Sequence, residues 1–507
     1  MGVDLVDIAA KRAELTPGRI AFVDALSGEA RTYRQLNERA ARCANAFEAL
    51  GVREGDRVAV LCRNRIEFFE IMLGCAKLGA ILAPLNWRMP PAELAPVLDD
   101  CAPALLIHGQ EDAAAAQALA RGGMTLVALD ARGRTSFEAL LDAAAPMRAT
   151  RAWPANDVWC LLYTSGTTGV PKAVIQTYQM ALINHVNASH AFGLREGDHT
   201  LNFLPLFHAA GIHLLTLPTL FAGGTVHVLP GFDAGRVMAM LSANMIDIFF
   251  GVPTIYQQIA LDPLFDDMDL SHVRAWGCGG APLADTLVER YAAKNVRVCN
   301  GYGMTETGPT AFVASPNDAW TKIGSVGRPQ LQLETRIVDV NGNDVGEGEV
   351  GEIWMRGPGV TPGYWRRPEE TARAFTSDGW LKSGDLGRRD GDGCYYVAGR
   401  IKEMYISGGE NVYPAEIENV LARHPAVLEA AIVAVADDKW GEVGHAFVML
   451  RPGAPKIDAA RLIHYCRSNL AAYKAPRFIT FVEDFPRTPS GKVRKHLLAG
   501  DAPARAQ

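Results

Sequence analysis

Tyr163-Thr-Ser-Gly-Thr-Thr-Gly-Val-Pro-Lys172 packs two glycines (Gly166, Gly169), four hydroxyl residues (Thr164, Ser165, Thr167, Thr168) and a lysine behind an apolar run at 158–163. Glycines let backbone N–H groups turn towards an anion, hydroxyls donate hydrogen bonds, and Lys172 adds a point charge. The stretch therefore reads as a strand feeding a polyphosphate cradle. It is not the P-loop of NTPases, which needs Gly-x4-Gly-Lys-Ser/Thr. Counting from Gly166 puts Pro171 at the second glycine and Ala173 at the metal-binding hydroxyl. A different nucleotide chemistry is implied.

Around this loop the chain alternates short apolar strands with helical patterns, which predicts α/β layering. Strands are expected at 57–62, 104–108, 158–163, 200–204, 225–229, 247–251 and 296–299, those from 158 onward each followed by a helix-like segment. The Ala-rich stretch 112–146 reads as surface helices. Between about 324 and 400, glycines 342, 346, 348, 351, 357, 379, 391 and 393 punctuate short strands, the texture of a β-rich subdomain. Beyond a boundary near 400, a helix at 414–424, strands at 430–436 and 445–450 and a helix at 459–470 make a small α+β unit. The tail 501–507 is expected to be disordered. The fold class is thus α/β: a large N-terminal domain (1–401) of layered subdomains plus the β-rich one, then a small, mobile α+β domain (402–507).

Bulk properties narrow the function. A chain of 507 residues is too long for one core and suggests two to four structural units. Net charge is −6 with no long basic run, which disfavours a nucleic-acid partner. Nine cysteines without CxxC pairs suit a reducing compartment. No signal peptide and no apolar run of roughly 18 residues is visible, so a cytoplasmic protein is expected.

Four further segments carry candidate chemistry. In Asn300-Gly-Tyr-Gly-Met-Thr-Glu306, Tyr302 can stack on a base and Glu306 can hold Mg²⁺ against phosphate oxygens; a strand-end turn around a buried tyrosine is the plain alternative. Asp385, in Ser383-Gly-Asp385, can take ribose hydroxyls or simply form a turn. Gly408-Gly409, in the string from Gly399-Arg400 to Glu418, permits a hairpin whose backbone approaches a ligand closely. Lys492, in Pro486-Arg-Thr-Pro-Ser-Gly-Lys492, can be aimed at developing negative charge, or can be a solvated surface lysine.

In this order the segments resemble the adenylate-forming superfamily, which includes acyl- and aryl-CoA synthetases. The resemblance runs from Thr32-Tyr33 to Lys492. It implies that 164–172 handles the β- and γ-phosphates of ATP, with Ala173 standing where the family usually has glycine. It implies that Tyr302 stacks on adenine, that Asn300 and Gly280 contact the nucleotide, and that Thr305 meets the α-phosphate. It makes Glu306 the Mg²⁺ ligand, Asp385 and Arg400 the ribose pair, Lys402 the hinge and Lys492 the adenylation lysine. In such enzymes a carboxylate attacks the α-phosphate and pyrophosphate leaves. The C-terminal domain then rotates and brings the Gly408-Gly409 hairpin to the site for attack by the coenzyme A thiol. Arg88, Trp440 and Arg477 fall where some aryl-CoA ligases hold the CoA nucleotide.

The resemblance also places the acid pocket at His208, Ala209, Ala210, Leu214, Gly279, Gly303, Met304, Pro309 and Thr310. That wall is small and uncharged. It lacks an aspartate for an amino group and an arginine for a second carboxylate, leaving an apolar acid: fatty, or aryl or cyclic. A free-standing enzyme that loads a carrier protein is the second reading, and a catalytically dead binding protein the third. The segment around Lys492 also resembles sites acted on by lysine acetyltransferases and deacetylases. A homodimer is compatible with the sequence.

Overall fold

The computed structural model describes residues 4–131, 133, 136–164, 171–281, 283–455, 457–488 and 492–501. Two large twisted sheets dominate the first 330 residues. One has six strands, in the order Lys172–Thr177, Val158–Thr164, Ile81–Pro84, Arg57–Leu61, Leu105–His108, Thr125–Ala128. The other has nine. Its parallel centre runs Val298–Met304, Ala275–Gly279, Ile248–Gly251, His199–Asn202, Thr225–Val228, Ile20–Asp24. Antiparallel strands extend both ends of it.

Parallel strands buried on both faces must be apolar throughout, and helices supply the cover. Helix Tyr33–Ala49 begins on a capping box: Thr32 Oγ1 accepts from Gln35 N at 3.2 Å, and Gln35 Oε1 accepts from Thr32 N at 2.8 Å. It packs on helix Ile66–Leu78, every residue of which except Glu67 is buried. Gly74 permits that close approach, since a Cβ there would lie 2.5 Å from Cys43 Cβ.

The β-rich expectation holds as a four-stranded antiparallel sheet, Glu334–Val338, Gly351–Arg356, Leu381–Arg389 and Tyr395–Arg400. A separate five-stranded sheet follows, built on Val427–Asp437 and Gly441–Leu450 and covered by helices Pro414–Ala422 and Ala459–Asn469. All nine cysteines are free and buried. Among the described residues no helix is long and apolar enough to cross a membrane.

Three expectations need correction. The Ala-rich stretch is not only surface helix: it contains strand Thr125–Ala128, paired parallel to Leu105–His108, and helix Phe137–Ala143 buries Phe137 and Leu141. Strand Val158–Thr164 is followed by an antiparallel partner, Lys172–Thr177, with Thr164 opposite Lys172. Strand Val298–Met304 likewise turns back on Gly308–Val313. Both return strands are six residues long and follow their partners without the crossover that parallel pairing needs.

Candidate active site

Ligands of open α/β sheets gather beyond the carboxyl ends of the parallel strands. Here the ends of Ala275–Gly279 and Val298–Met304, and the segment after His199–Asn202, deliver Gly279-Gly280, the 300–306 string and His208 to one region. Gly301 and Gly303 are required by their own hairpin. A Cβ on Gly301 would lie 2.9 Å from Phe312 O, and one on Gly303 2.5 Å from Pro309 O. Gly279 meets Gly301 O in the same way, at 2.9 Å, and Gly280 turns with φ +85°.

Tyr302 donates its hydroxyl to Asp385 Oδ2 at 2.6 Å, joining the nine-stranded sheet to the four-stranded one. Asp385 faces Arg400 across adjacent antiparallel strands, with Arg400 Nε 3.4 Å from Oδ1. Burial pushes the Asp385 carboxyl up, against the Tyr302 hydroxyl and the charges of Arg400 and Lys492. Burial and the Asp385 charge push the Tyr302 phenol far above its ordinary value. Asn300 donates to Ser325 O at 3.2 Å, and its buried Oδ1 has no protein partner. A buried acceptor without a donor suits a ligand N–H, as an adenine amino group offers.

Thr305 and Glu306 form a short turn after Tyr302. Gln176 Nε2 donates to Thr305 O at 2.9 Å, and Thr361 N donates to Glu306 O at 2.7 Å. Tyr364 donates to Glu306 Oε1 at 2.9 Å while Lys172 Nζ lies 4.2 Å from the centre of the same ring. Residues 363–365 run antiparallel to the Lys172–Thr177 strand, through Ile175 N to Gly363 O at 3.1 Å and Trp365 N to Ala173 O at 2.9 Å. Ser165, Gly166, Thr167, Thr168 and Gly169 lie outside the described residues; Thr164 and Lys172, which flank them, are a cross-strand pair. The strands that flank 165–170 thus pair as a β-hairpin, whereas a P-loop opens a helix. Tyr364 and Gln176 went unnoticed in the sequence, since both act through contacts more than 50 residues away.

Lys492 reaches this site from the other end of the chain. Its N–H is accepted by Thr488 Oγ1 at 3.1 Å, and its carbonyl accepts from Thr488 N at 2.6 Å. Lys492 is exposed along part of its length, while protein crowds its ammonium group. The surrounding protein and the Arg400 charge lower its pKa, opposed by Asp385, Glu306 and Glu403. Lys492 is also among the charges felt by His208. The imidazole of His208 falls to about 4 through burial first, then Lys492 and Arg88, and its Nε2 has no partner. Phe207 lies tilted beside it and meets Trp87 edge to face, and Arg63 and Arg88 lie over the Trp87 ring.

The residues matched to CoA divide into two groups. Arg88 lies near His208, whereas Trp440, Gly408 and Arg477 belong to the C-terminal unit. Gly408 (φ +61°) and Gly409 (φ +89°) turn a tight hairpin between Tyr405–Ser407 and Glu410–Val412. Gly408 N donates to Trp440 O at 2.8 Å, and a Cβ on Gly408 would lie 2.6 Å from the indole. Arg477 Nε is 3.4 Å from Asp437, whose carboxylate also accepts from Trp440 N at 2.9 Å. Lys402 sits exposed in the turn after strand Tyr395–Arg400, where Glu403 N and Met404 N both donate to Arg400 O. Beyond the hinge one ion pair spans the two domains among the described residues, Arg423 with Asp285.

The acid-pocket residues lie beyond His208 and Met304. Ala209 precedes a π-helical turn, Ala210–Leu214, and Ala210 and Leu214 border a small void with Leu204 and Phe250. Pro309 and Thr310 lie on strand Gly308–Val313, which packs against that turn.

Residues 9–365 match the family model described as AMP-binding enzyme, and 416–492 match AMP-binding enzyme C-terminal domain. The chain is 41% identical over 485 residues to a feruloyl-CoA synthase of an Amycolatopsis species, covering 96% of each. It is 36% identical over 495 residues to a long-chain-fatty-acid–CoA ligase of Mycobacterium tuberculosis, again covering 96% of each. The ATP-bound crystal structure of MatB from Rhodopseudomonas palustris superposes with a TM-score of 0.90 at 31% identity, covering 98% of both chains.

Proposed function

Because the chain belongs to the AMP-binding enzyme family and is an acid–thiol ligase of the AMP-forming kind, we propose that its converging residues carry out both halves of that reaction on an apolar, aryl or fatty, carboxylic acid. ATP activates the acid to an acyl-adenylate with release of pyrophosphate. The adenylate then passes to coenzyme A, giving the acyl-CoA and AMP. The single observation that carries the residue assignments is the meeting of Tyr302, Asp385, Arg400, Glu306 and Lys492, which come from two sheets, the turn after Met304 and a C-terminal loop.

Attack of a carboxylate on an α-phosphate brings two anions together, so the site must supply positive charge where charge develops. Lys492 supplies it, aimed from the C-terminal domain at the region beside Asp385. Tyr302 offers its ring to adenine and Asn300 its free acceptor; Asp385 and Arg400 take the ribose. Lys172 meets the departing pyrophosphate. Glu306 suits Mg²⁺, a hard cation bound by one or two carboxylates together with substrate phosphates, since Tyr364 occupies only one of its oxygens. Bound there, the metal would neutralise phosphate charge. His208, uncharged at pH 7, closes the pocket beside the acid's carboxylate without competing with Lys492 for it.

Once the adenylate has formed, Lys492 must leave for the thiol to enter. The turn at Lys402 is the pivot, and the Gly408-Gly409 hairpin, braced on Trp440, comes in its place. The CoA sulfur then bonds to the acyl carbon and AMP departs with the bonding electrons. Lys492, exposed along part of its length, is open to acetylation, which removes its charge and stops the first half-reaction. The enzyme works in the cytoplasm.

Pyrophosphate release and thioester formation with free CoA, over fatty, cinnamic, benzoic and alicyclic acids, test the reading. Adenylate without thioester until a carrier protein is added would replace it with carrier loading.

A further inference from the structure

Near the residues matched to the acid pocket lie buried polar atoms that no protein group satisfies. Thr310 Oγ1, His213 Nε2 and Asn187 Oδ1 are all buried and all without a hydrogen-bond partner. Their residues are 1%, 2% and 5% exposed. Polar atoms this deeply buried are nearly always paired, and leaving one unpaired is costly.

Three elements hold these residues together through backbone groups and leave the side-chain atoms free. Asn184, on helix Tyr178–Phe192, accepts from Thr310 N at 3.3 Å and donates to His213 O. Asn187, one turn later, donates to Thr310 O at 3.3 Å. Thr310 belongs to strand Gly308–Val313, and His213 to the π-helical turn Ala210–Leu214 between two pocket residues, Ala210 and Leu214. His213 lies five positions after His208, on the π-helical turn that follows it.

The chemistry of the three atoms narrows what they recognise. The Thr310 hydroxyl can donate and accept. Burial holds His213 near a pKa of about 4, so its ring is neutral at pH 7 and offers Nε2 as donor or acceptor. Asn187 Oδ1 accepts. No cation stands among them, so a second carboxylate would be buried uncompensated. A neutral hydroxyl, which both donates and accepts, matches the set.

We propose that Thr310, His213 and Asn187 form a polar end-wall of the acid pocket that hydrogen-bonds a neutral hydroxyl on the substrate, remote from its carboxylate, making a ring-hydroxylated aryl acid the preferred substrate class. This rests on the ligase reading above and on its placement of the pocket.

The test compares acids that differ by one hydroxyl: 4-hydroxycinnamate with cinnamate, and 4-hydroxybenzoate with benzoate. Pyrophosphate release gives kcat/KM for each. In the unaltered enzyme at least one pair favours the hydroxylated acid by roughly tenfold or more, as one well-placed hydrogen bond allows. Thr310→Val and His213→Phe each shrink that ratio to below about threefold. Because the ratio is taken within each variant, partial loss of folded protein cancels. No preference in either pair, as when a buried water already satisfies the three atoms, overturns the proposal; so does a preference that survives both substitutions, or turnover of fatty acids alone. Turnover of unhydroxylated acids without preference leaves the ligase reading standing, whereas no release with any aryl or fatty acid overturns both.

Discussion

The Tyr302 hydroxyl and the Asp385 carboxylate meet at 2.6 Å across the junction of two sheets, so the residues matched to adenine and to ribose are locked to each other before any nucleotide arrives. Tyr302→Phe keeps the ring and removes the donor, leaving Asp385 buried with one fewer hydrogen bond. A loss of about 1–3 kcal/mol in unfolding free energy is expected, together with a raised KM for ATP. Urea unfolding and ATP titration read both effects; full stability with an unaltered KM would show that the bond carries neither.

Lys492→Ala removes the charge that the first half-reaction needs. Pyrophosphate release should fall by about 10²–10³, while thioester formation from supplied acyl-AMP is largely kept. Equal loss of both steps contradicts the alternation of domains. In the unaltered enzyme, burial and Arg400 lower the lysine's pKa. Its charged form is the active one, so adenylation declines with rising pH through a value below that of an ordinary lysine. An alkaline limb at or above the ordinary lysine value would refute this.

Gly408→Ala places a methyl on a residue at φ +61°, 2.6 Å from the Trp440 indole. Both the backbone strain and the clash act on the hairpin alone. The CoA step should slow severalfold more than pyrophosphate release, measured in single-turnover assays of each half-reaction.

Arg423 and Asp285 bridge the domains in the arrangement that holds Lys492 at the site. Arg423 is 57% exposed, so the pair is worth only about 0.2–1 kcal/mol. Asp285→Ala should therefore slow adenylation no more than about fivefold, the rate ratio that such an energy supports. A loss of 100-fold would mean the contact does more than bias the two orientations.

His208, His213 and His227 are each held to about 4, by burial above all. Unfolded, each binds its proton near pH 6.5. Between about 6.5 and 4 the unfolded chain holds more protons, so stability must fall as pH drops through that window. Melting temperatures measured across it should decline, and less steeply in His227→Gln. A Tm that rises on acidification would contradict the burial of these rings as neutral groups.

Much of this architecture was visible in residue pattern alone, and the exceptions have physical causes. The parallel strands announced themselves as short apolar runs, since both faces are buried. The hairpin around 165–170 did not: Lys172–Thr177 carries only two strongly apolar side chains, Val174 and Ile175, and a 15-residue helix follows it directly. Strand Thr125–Ala128 is an edge strand, only one of its residues fully buried, and it hides in an alanine-rich background. Individual site residues could be matched wherever a motif is contiguous, as at 300–306. Tyr364 could not, because its role exists only where a distant segment joins the edge of the hairpin. The orphaned atoms of Thr310, His213 and Asn187 were equally invisible, for what marks them is a missing partner.

Tyr364 has one more effect. It stands between Lys172 and Glu306, offering its ring to the cation and its hydroxyl to the anion, and among the described residues no ion pair joins the two. A neutral phenol thus acts as an insulator between opposite charges that would otherwise collapse onto each other in the empty enzyme. On the function proposed above, an arriving triphosphate would have no salt bridge between Lys172 and Glu306 to break. The two charges are stored apart, ready for use, and the affinity that their separation would otherwise consume is kept for the substrate.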